Sequence, residues 1–140
     1  MKKDISCGYC MEGDLLAGFG IKICDLESST LVLFKEQSHK GRVIVAYKDH
    51  VGDMTELSDS QRNLFFDDVN RVAKALHSAF KPDKINYGAY GDTGRHMHFH
   101  LVPKYKEDFE WTKVFEMNPD QVYLSDEQYN EIIELIKEKL

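Results

Sequence analysis

The chain has 140 residues, a formal net charge of −6, 42% hydrophobic and 30% charged residues. That composition belongs to a globular protein rather than a disordered one, and the length suits a single domain over residues 1–140. The acidic balance argues against a nucleic-acid polymer as partner, though not against a small anion bound by local donors, and no apolar run reaches the length of a membrane span.

In chain order, "MKKDISCGYC" lacks the apolar segment of a secretion signal, so the protein is expected in the cytoplasm. Cys7, Cys10 and Cys24 make an odd count that does not read as a disulfide framework in a reducing compartment. Cys24 reads as a small core residue. "GFGIKICDL" (18–26), "TLVLFKE" (30–36) and "RVIVAY" (42–47) are rich in β-branched and apolar residues and read as strands. The loop "QSHKG" suits a hairpin between the last two, with His39 in a solvated basic loop.

The period then changes. Ser58 with Gln61 signals a capping box, and Phe65, Val69, Val72, Leu76 and Phe80 recur at helical spacing, which predicts a helix over 59–80 stopped by Lys81-Pro82. His77 lies on its exposed side. "INYGAYG" (85–91) and "HMHFHLV" (96–102) read as strands, the second ending at Pro103. The stretch "YKEDFEW" reads as a solvated acidic loop, with Trp111 covering either the site or a dimer surface. Ser125 with Gln128 signals a second capping box before an apolar stripe of Tyr129, Ile132, Ile133 and Ile136. The order implies an α+β fold with an antiparallel sheet.

The most informative segment is "HMHFHLV". Alternate residues of a strand share a face, so His96, His98 and His100 form a polar row while Met97, Phe99 and Leu101 face the long helix. Such a row can bind a metal, contact a polyphosphate, or supply a nucleophile flanked by donors. "CGYC" has the spacing of a zinc half-site, although two reduced or redox-active thiols fit it equally.

"HMHFHLV" resembles the signature of the histidine-triad (HIT) superfamily, and "GRVIVAYKDHVGDMTEL" resembles that family's strand and turn before the long helix. The resemblance covers about residues 5–105, leaving a C-terminal extension over about 106–140. It implies a HIT-like fold, a homodimer, and purine mononucleotides or dinucleoside polyphosphates as ligands. It implies three catalytic histidines: His98 as nucleophile at an α-phosphorus, His100 as donor to the phosphate oxygens, and His96 as anchor. Hydrolysis of a phosphoanhydride or phosphoramidate follows, with a nucleotide-binding module of little turnover, or a nucleotidylyltransferase, as alternatives.

The resemblance also implies nucleotide contacts from Asn86, from the "GDTGR" turn and from Thr93 on the leaving-group side, where a plain turn residue is the other reading. The sequence departs from the family at Asp92, which stands where a glutamine is usual and needs a partner such as Arg95. Phe34 stands where relatives carry a ribose-binding Asn or Asp. Finally, the resemblance completes the half-site as Cys7, Cys10, His50 and His96 around a structural zinc.

Overall fold

The structure, a computed structural model, describes residues 2–140. Strands β1 (Gly20–Asp25), β2 (Ser29–Phe34), β3 (Val43–Tyr47), β4 (Lys84–Gly88) and β5 (His98–Lys104) form one antiparallel sheet in the order β1-β2-β3-β5-β4. Two helices absent from the sequence reading, α1 (Gly8–Met11) and α2 (Gly13–Ala17), precede the sheet. Helix α3 (Asp59–Phe80) joins β3 to β4, and α4 (Asp126–Lys139) closes the chain. None of the helices is long and apolar enough to cross a membrane.

Both capping boxes form. Ser58 Oγ accepts from Gln61 N–H (3.2 Å) while Gln61 Oε1 accepts from Ser58 N–H (2.9 Å). Ser125 and Gln128 repeat the exchange at the start of α4. Each pair satisfies two amide donors that a helix start leaves unpaired. At the other end of α3, Lys81 takes the left-handed conformation (φ 48°, ψ 51°), turning the chain before Pro82.

Period-two alternation divides the sheet into two chemically different faces. Leu31, Leu33, Val43, Val45 and Leu101 pack on one side against Phe65, Val69, Val72 and Leu76 of α3 and Ile132, Ile133 and Ile136 of α4. Burying each of these large side chains contributes about 1.5–3 kcal/mol before entropy is counted. Met97 and Phe99 join this face as expected, Phe99 lying against Phe65 and Phe66. The opposite face carries Val32, Phe34, Ile44 and Ala46, with Leu16, Tyr9 and Phe19 packed on it. On β5, His98 pairs with Ala46 and His100 with Ile44, so both histidines belong to this second face.

The strand over 96–102 is shifted. It begins at His98 and continues through Pro103 to Lys104. His96 precedes the ladder because its N–H turns back to Gly94 O (2.7 Å), while Met97 N–H donates to Val51 O (2.8 Å). Pro103 is tolerated because it lies past Val43↔Leu101, the last pair with β3, where one edge of β5 is free.

The β2–β3 loop is a buried anchor, not a solvated turn. Glu36 accepts hydrogen bonds from Ser38 N–H and Oγ–H and from the N–H groups of Gln121 and Val122. His39 is also buried. Its Nε2 lies 2.7 Å from Glu110 Oε1 and its ring packs on Phe109, which corrects the expectation of a solvated basic loop. The stretch expected as a solvated acidic loop is exposed over residues 106–109, as read, and is pinned at its end: buried Lys104 Nζ donates to the carbonyls of Glu110 and Lys113.

Burial opposes ionisation of Glu36, but the donors from Ser38, Val122 and Gln121 outweigh it and hold the carboxyl below its ordinary value of 4.5. The native state therefore favours the carboxylate. Its contribution is complete above the unfolded value and is lost as pH falls through the lower folded value. Glu36→Gln should lower stability at neutral pH and flatten its decline below about pH 4.5, measured by urea unfolding across pH 3–7.

Candidate active site and metal-binding group

A cavity of about 1000 Å³ opens on the histidine face of the sheet. Tyr9, Phe19, Phe34, Ile44 and Phe115 give it apolar walls, and His98 and His100 line it beside them. Asp92, Thr93 and Arg95 stand at its exposed rim. The size and mixed lining suit a nucleotide-sized ligand.

His98 Nδ1 lies 2.6 Å from the carbonyl of His96. A carbonyl oxygen only accepts, so Nδ1 carries the proton and Nε2 keeps a free lone pair. Burial lowers the pKa of His98 more than this hydrogen bond raises it, so the ring is neutral near neutral pH. The His98 and His100 rings are 5.3 Å apart. His100 Nδ1 lies 3.1 Å from Nη2 of Arg42, and burial, with Arg42 and His98 nearby, pushes its pKa down to about 3. Tyr9 packs against His98 at 4.8 Å between ring centroids.

The expected trio divides by role. His96 does not line the cavity; its ring is buried in a group with Cys7, Cys10 and His50 whose ligand atoms all lie within 4.8 Å of one another. His96 Nδ1 is 3.4 Å from each sulfur and 3.3 Å from His50 Nδ1, and Cys10 Sγ is 3.4 Å from His50 Nδ1. Ligand bonds of ~2.3 Å to sulfur and ~2.05 Å to nitrogen place tetrahedral neighbours about 3.5 Å (S···N) and about 3.3 Å (N···N) apart. The group therefore fits a tetrahedral cation. His96 Nε2–H donates to Tyr47 O (2.6 Å), leaving Nδ1 bare, and His50 Nε2 faces Asp4 Oδ2 at 3.8 Å. Burial pushes the Cys10 thiol up, a penalty that a cation at the centre reverses by binding the thiolate.

The placement of Asn86 and Asp92 bears on the expected ligand contacts. Asn86 pairs with Val102, two residues along β4 from the Gly88↔His100 pair, and lines a separate hollow with Lys84, Lys104 and Trp111. The strand rise puts it about 6.6 Å beyond the histidine row, and Trp111 covers that hollow rather than the main cavity. Asp92 and Arg95 do not form an ion pair among the described residues. Cys24 is partly buried against the main core, and His77 is exposed, both as expected. Sequence reasoning missed Arg42, Tyr9 and Phe115. Only Arg42 left a signal: it shares the alternation of Ile44 and Ala46, hence their face of the sheet.

The HIT domain family model matches residues 20–107, and the chain belongs to that family. It is 29% identical to the adenosine 5'-monophosphoramidase hnt1 of Schizosaccharomyces pombe over 114 residues, 75% of this chain and 79% of that protein. A histidine triad protein from Sinorhizobium meliloti has the same fold (TM-score 0.84, 22% identity, 91% of this chain and 95% of that one). So does a Zn-bound histidine triad family protein from Mycobacterium smegmatis (TM-score 0.68, 22% identity, 96% and 93%).

Replacing Cys10 with Ser removes one of the four candidate ligands and should loosen α1 from the start of β5. The expected loss is about 2–5 kcal/mol of unfolding free energy, read by denaturant titration alongside metal analysis. Cys24→Ser should change the metal content of neither the native nor the refolded protein.

Proposed function

We propose that this protein hydrolyses a phosphoanhydride or phosphoramidate at the α-phosphorus of a purine nucleotide through a nucleotidyl-His98 intermediate. The observation that carries the reading is the His98 ring, held by the His96 carbonyl with Nε2 unprotonated, on the wall of a nucleotide-sized cavity. Nε2 attacks phosphorus, and the P–N bond forms as the bond to the leaving group breaks. Positive charge arising on the imidazole is stabilised through Nδ1–H by the His96 carbonyl. Water then attacks the same phosphorus, the P–N bond breaks, and His98 is restored.

His100 donates to a non-bridging phosphate oxygen, and Arg95 and Thr93 meet the leaving group at the rim. Phosphoryl-type transfer is mostly positioning and charge stabilisation, which these groups supply. The likeness to an adenosine 5'-monophosphoramidase supports a phosphoramidate substrate; diadenosine polyphosphates suit the same chemistry. The metal we assign is zinc, from two thiolates and two imidazoles at tetrahedral spacing and from the zinc in the mycobacterial neighbour. Four protein ligands close its coordination, so its part is structural. The family resemblance further supports a homodimer, and cysteines kept as thiols or thiolates instead of disulfides support a cytoplasmic location.

A second reading, a nucleotide-binding module with little turnover, is favoured by Phe34. It is buried on the cavity wall where a polar ribose partner is usual in relatives, and Asp92 brings a carboxylate to the rim.

The two are separated by incubating the protein with adenosine phosphoramidate and with diadenosine tetraphosphate and following AMP. Hydrolysis should occur and fall by about 10³-fold or more in His98→Ala. Tight AMP binding with no release from either substrate would establish the binding module, and AMP transfer to an added alcohol in preference to water would establish a nucleotidylyltransferase. Protein purified without chelator should carry about one zinc per chain, by the four-ligand stoichiometry of a structural site.

A further inference from the structure

Behind the histidine pair lies a buried guanidinium, with the carboxylates of Glu36 and Glu110 near it but not in contact. Arg42, just before β3, is fully buried, with its guanidinium 4.1 Å from the Phe34 ring centroid and 4.9 Å from that of Phe115. Nη1 donates to Glu116 O (3.0 Å) and Nη2 to Met117 O (2.8 Å), while Nη2 also faces His100 Nδ1 at 3.1 Å. Nε has no partner. Among the described residues no carboxylate forms an ion pair with it. Burial lowers its pKa to about 10, which still leaves it charged at neutral pH. Carbonyl dipoles and two aromatic faces offset part of the cost of burying that charge.

A guanidinium has donors and no acceptor. Facing it, His100 Nδ1 accepts, so the one proton of the neutral ring is on Nε2. We propose that Arg42 is a positioning residue that fixes His100 as the Nε2–H tautomer and sets a permanent positive charge behind that donor. The cavity then presents to phosphate an imidazole that donates and does not compete as an acceptor. His98 is its converse: a partner that only accepts leaves its Nε2 bare. Two neighbouring histidines thus hold opposite tautomers, each imposed by a group capable of a single role. A glutamine or a histidine in place of Arg42 can both donate and accept, and would leave both tautomers of His100 open.

The use of this arrangement rests on the proposed reaction at phosphorus, but the tautomer can be read without turnover. Long-range ¹H–¹⁵N spectra of the full chain labelled at histidine should show His100 neutral with its proton on Nε2. In Arg42→Met, His100 should lose that single-tautomer signature, and kcat/KM for adenosine phosphoramidate should fall by about 10- to 100-fold, the range for lost outer partners of a functional imidazole. Zinc content and the Nδ1–H signature of His98 should stay unchanged. Arg42→Lys, which keeps a donor and a charge, should recover part of the loss. A proton on Nδ1 of His100 in the unsubstituted protein overturns the assignment whether or not the variants fold. So does a folded Arg42→Met that retains the Nε2–H signature and full kcat/KM. A protein inactive on every nucleotide but with His100 held as Nε2–H would sink the hydrolase reading and leave the role of Arg42 standing.

Discussion

The candidate nucleophile and the Cys/His group are both oriented from His96. Its ring donates through Nε2 to Tyr47 O and turns Nδ1 toward the two cysteines and His50, while its carbonyl takes the Nδ1–H of His98. One buried residue thereby ties the end of β3, the N-terminal segment and the candidate nucleophile together. Because the ring is closed in by metal-group and backbone partners, the carbonyl cannot swing without breaking them. The orientation of His98 is a consequence of packing, and needs no polar side chain inside the cavity. This is how outer partners commonly fix a functional imidazole.

The sheet gives the site its rigidity by an unequal division of labour. One face is sealed by α3 and α4 and carries most of the apolar burial. That leaves the other face free to hold groups costly to bury, including Arg42, His98 and His100. β3 is buried on both faces, so its side chains have nowhere to move, and the histidines of β5 sit in register against it. The neutral histidines and the single buried guanidinium follow from the same burial. Desolvation drives imidazoles to their neutral form, whereas arginine keeps its proton and becomes the fixed charge of the site.

The fold was legible where local rules act. The Ser58 and Ser125 capping boxes, the helical stripe from Phe65 to Phe80 and the alternation around His98 and His100 each depend on residues a few positions apart, and each appears as read. The Cys/His group spans residues 7 to 96, yet its four residues could be named together because the family resemblance supplied the long-range pairing. What failed was set by tertiary contacts that leave no periodic trace. His39 is buried because Glu110 folds back 71 positions later to meet it. Asn86 misses the cavity because of where β4 registers on β5. His96 leaves the strand because its N–H goes to Gly94 instead of a ladder partner. Helices α1 and α2 are too short to show a period.

The cavity is completed by chain beyond the family match, which ends at residue 107. Phe115 and Met117 line it only because the extension is bolted down. Lys104 takes the carbonyls of Glu110 and Lys113, Arg42 those of Glu116 and Met117, and Glu36 the amides of Gln121 and Val122. Three buried charged side chains thus hold the extension by its backbone, while Glu110 and Phe109 add side-chain contacts to His39. The matched segment supplies His98 and His100, and the extension supplies one wall of the cavity. The orientation of His98 is therefore independent of the extension, whereas that of His100 is tied to it through Arg42. Changes at Phe115 or Met117 alter which ligand fits the wall while the His98–His96 geometry stays in place, because no hydrogen bond of that pair passes through the extension.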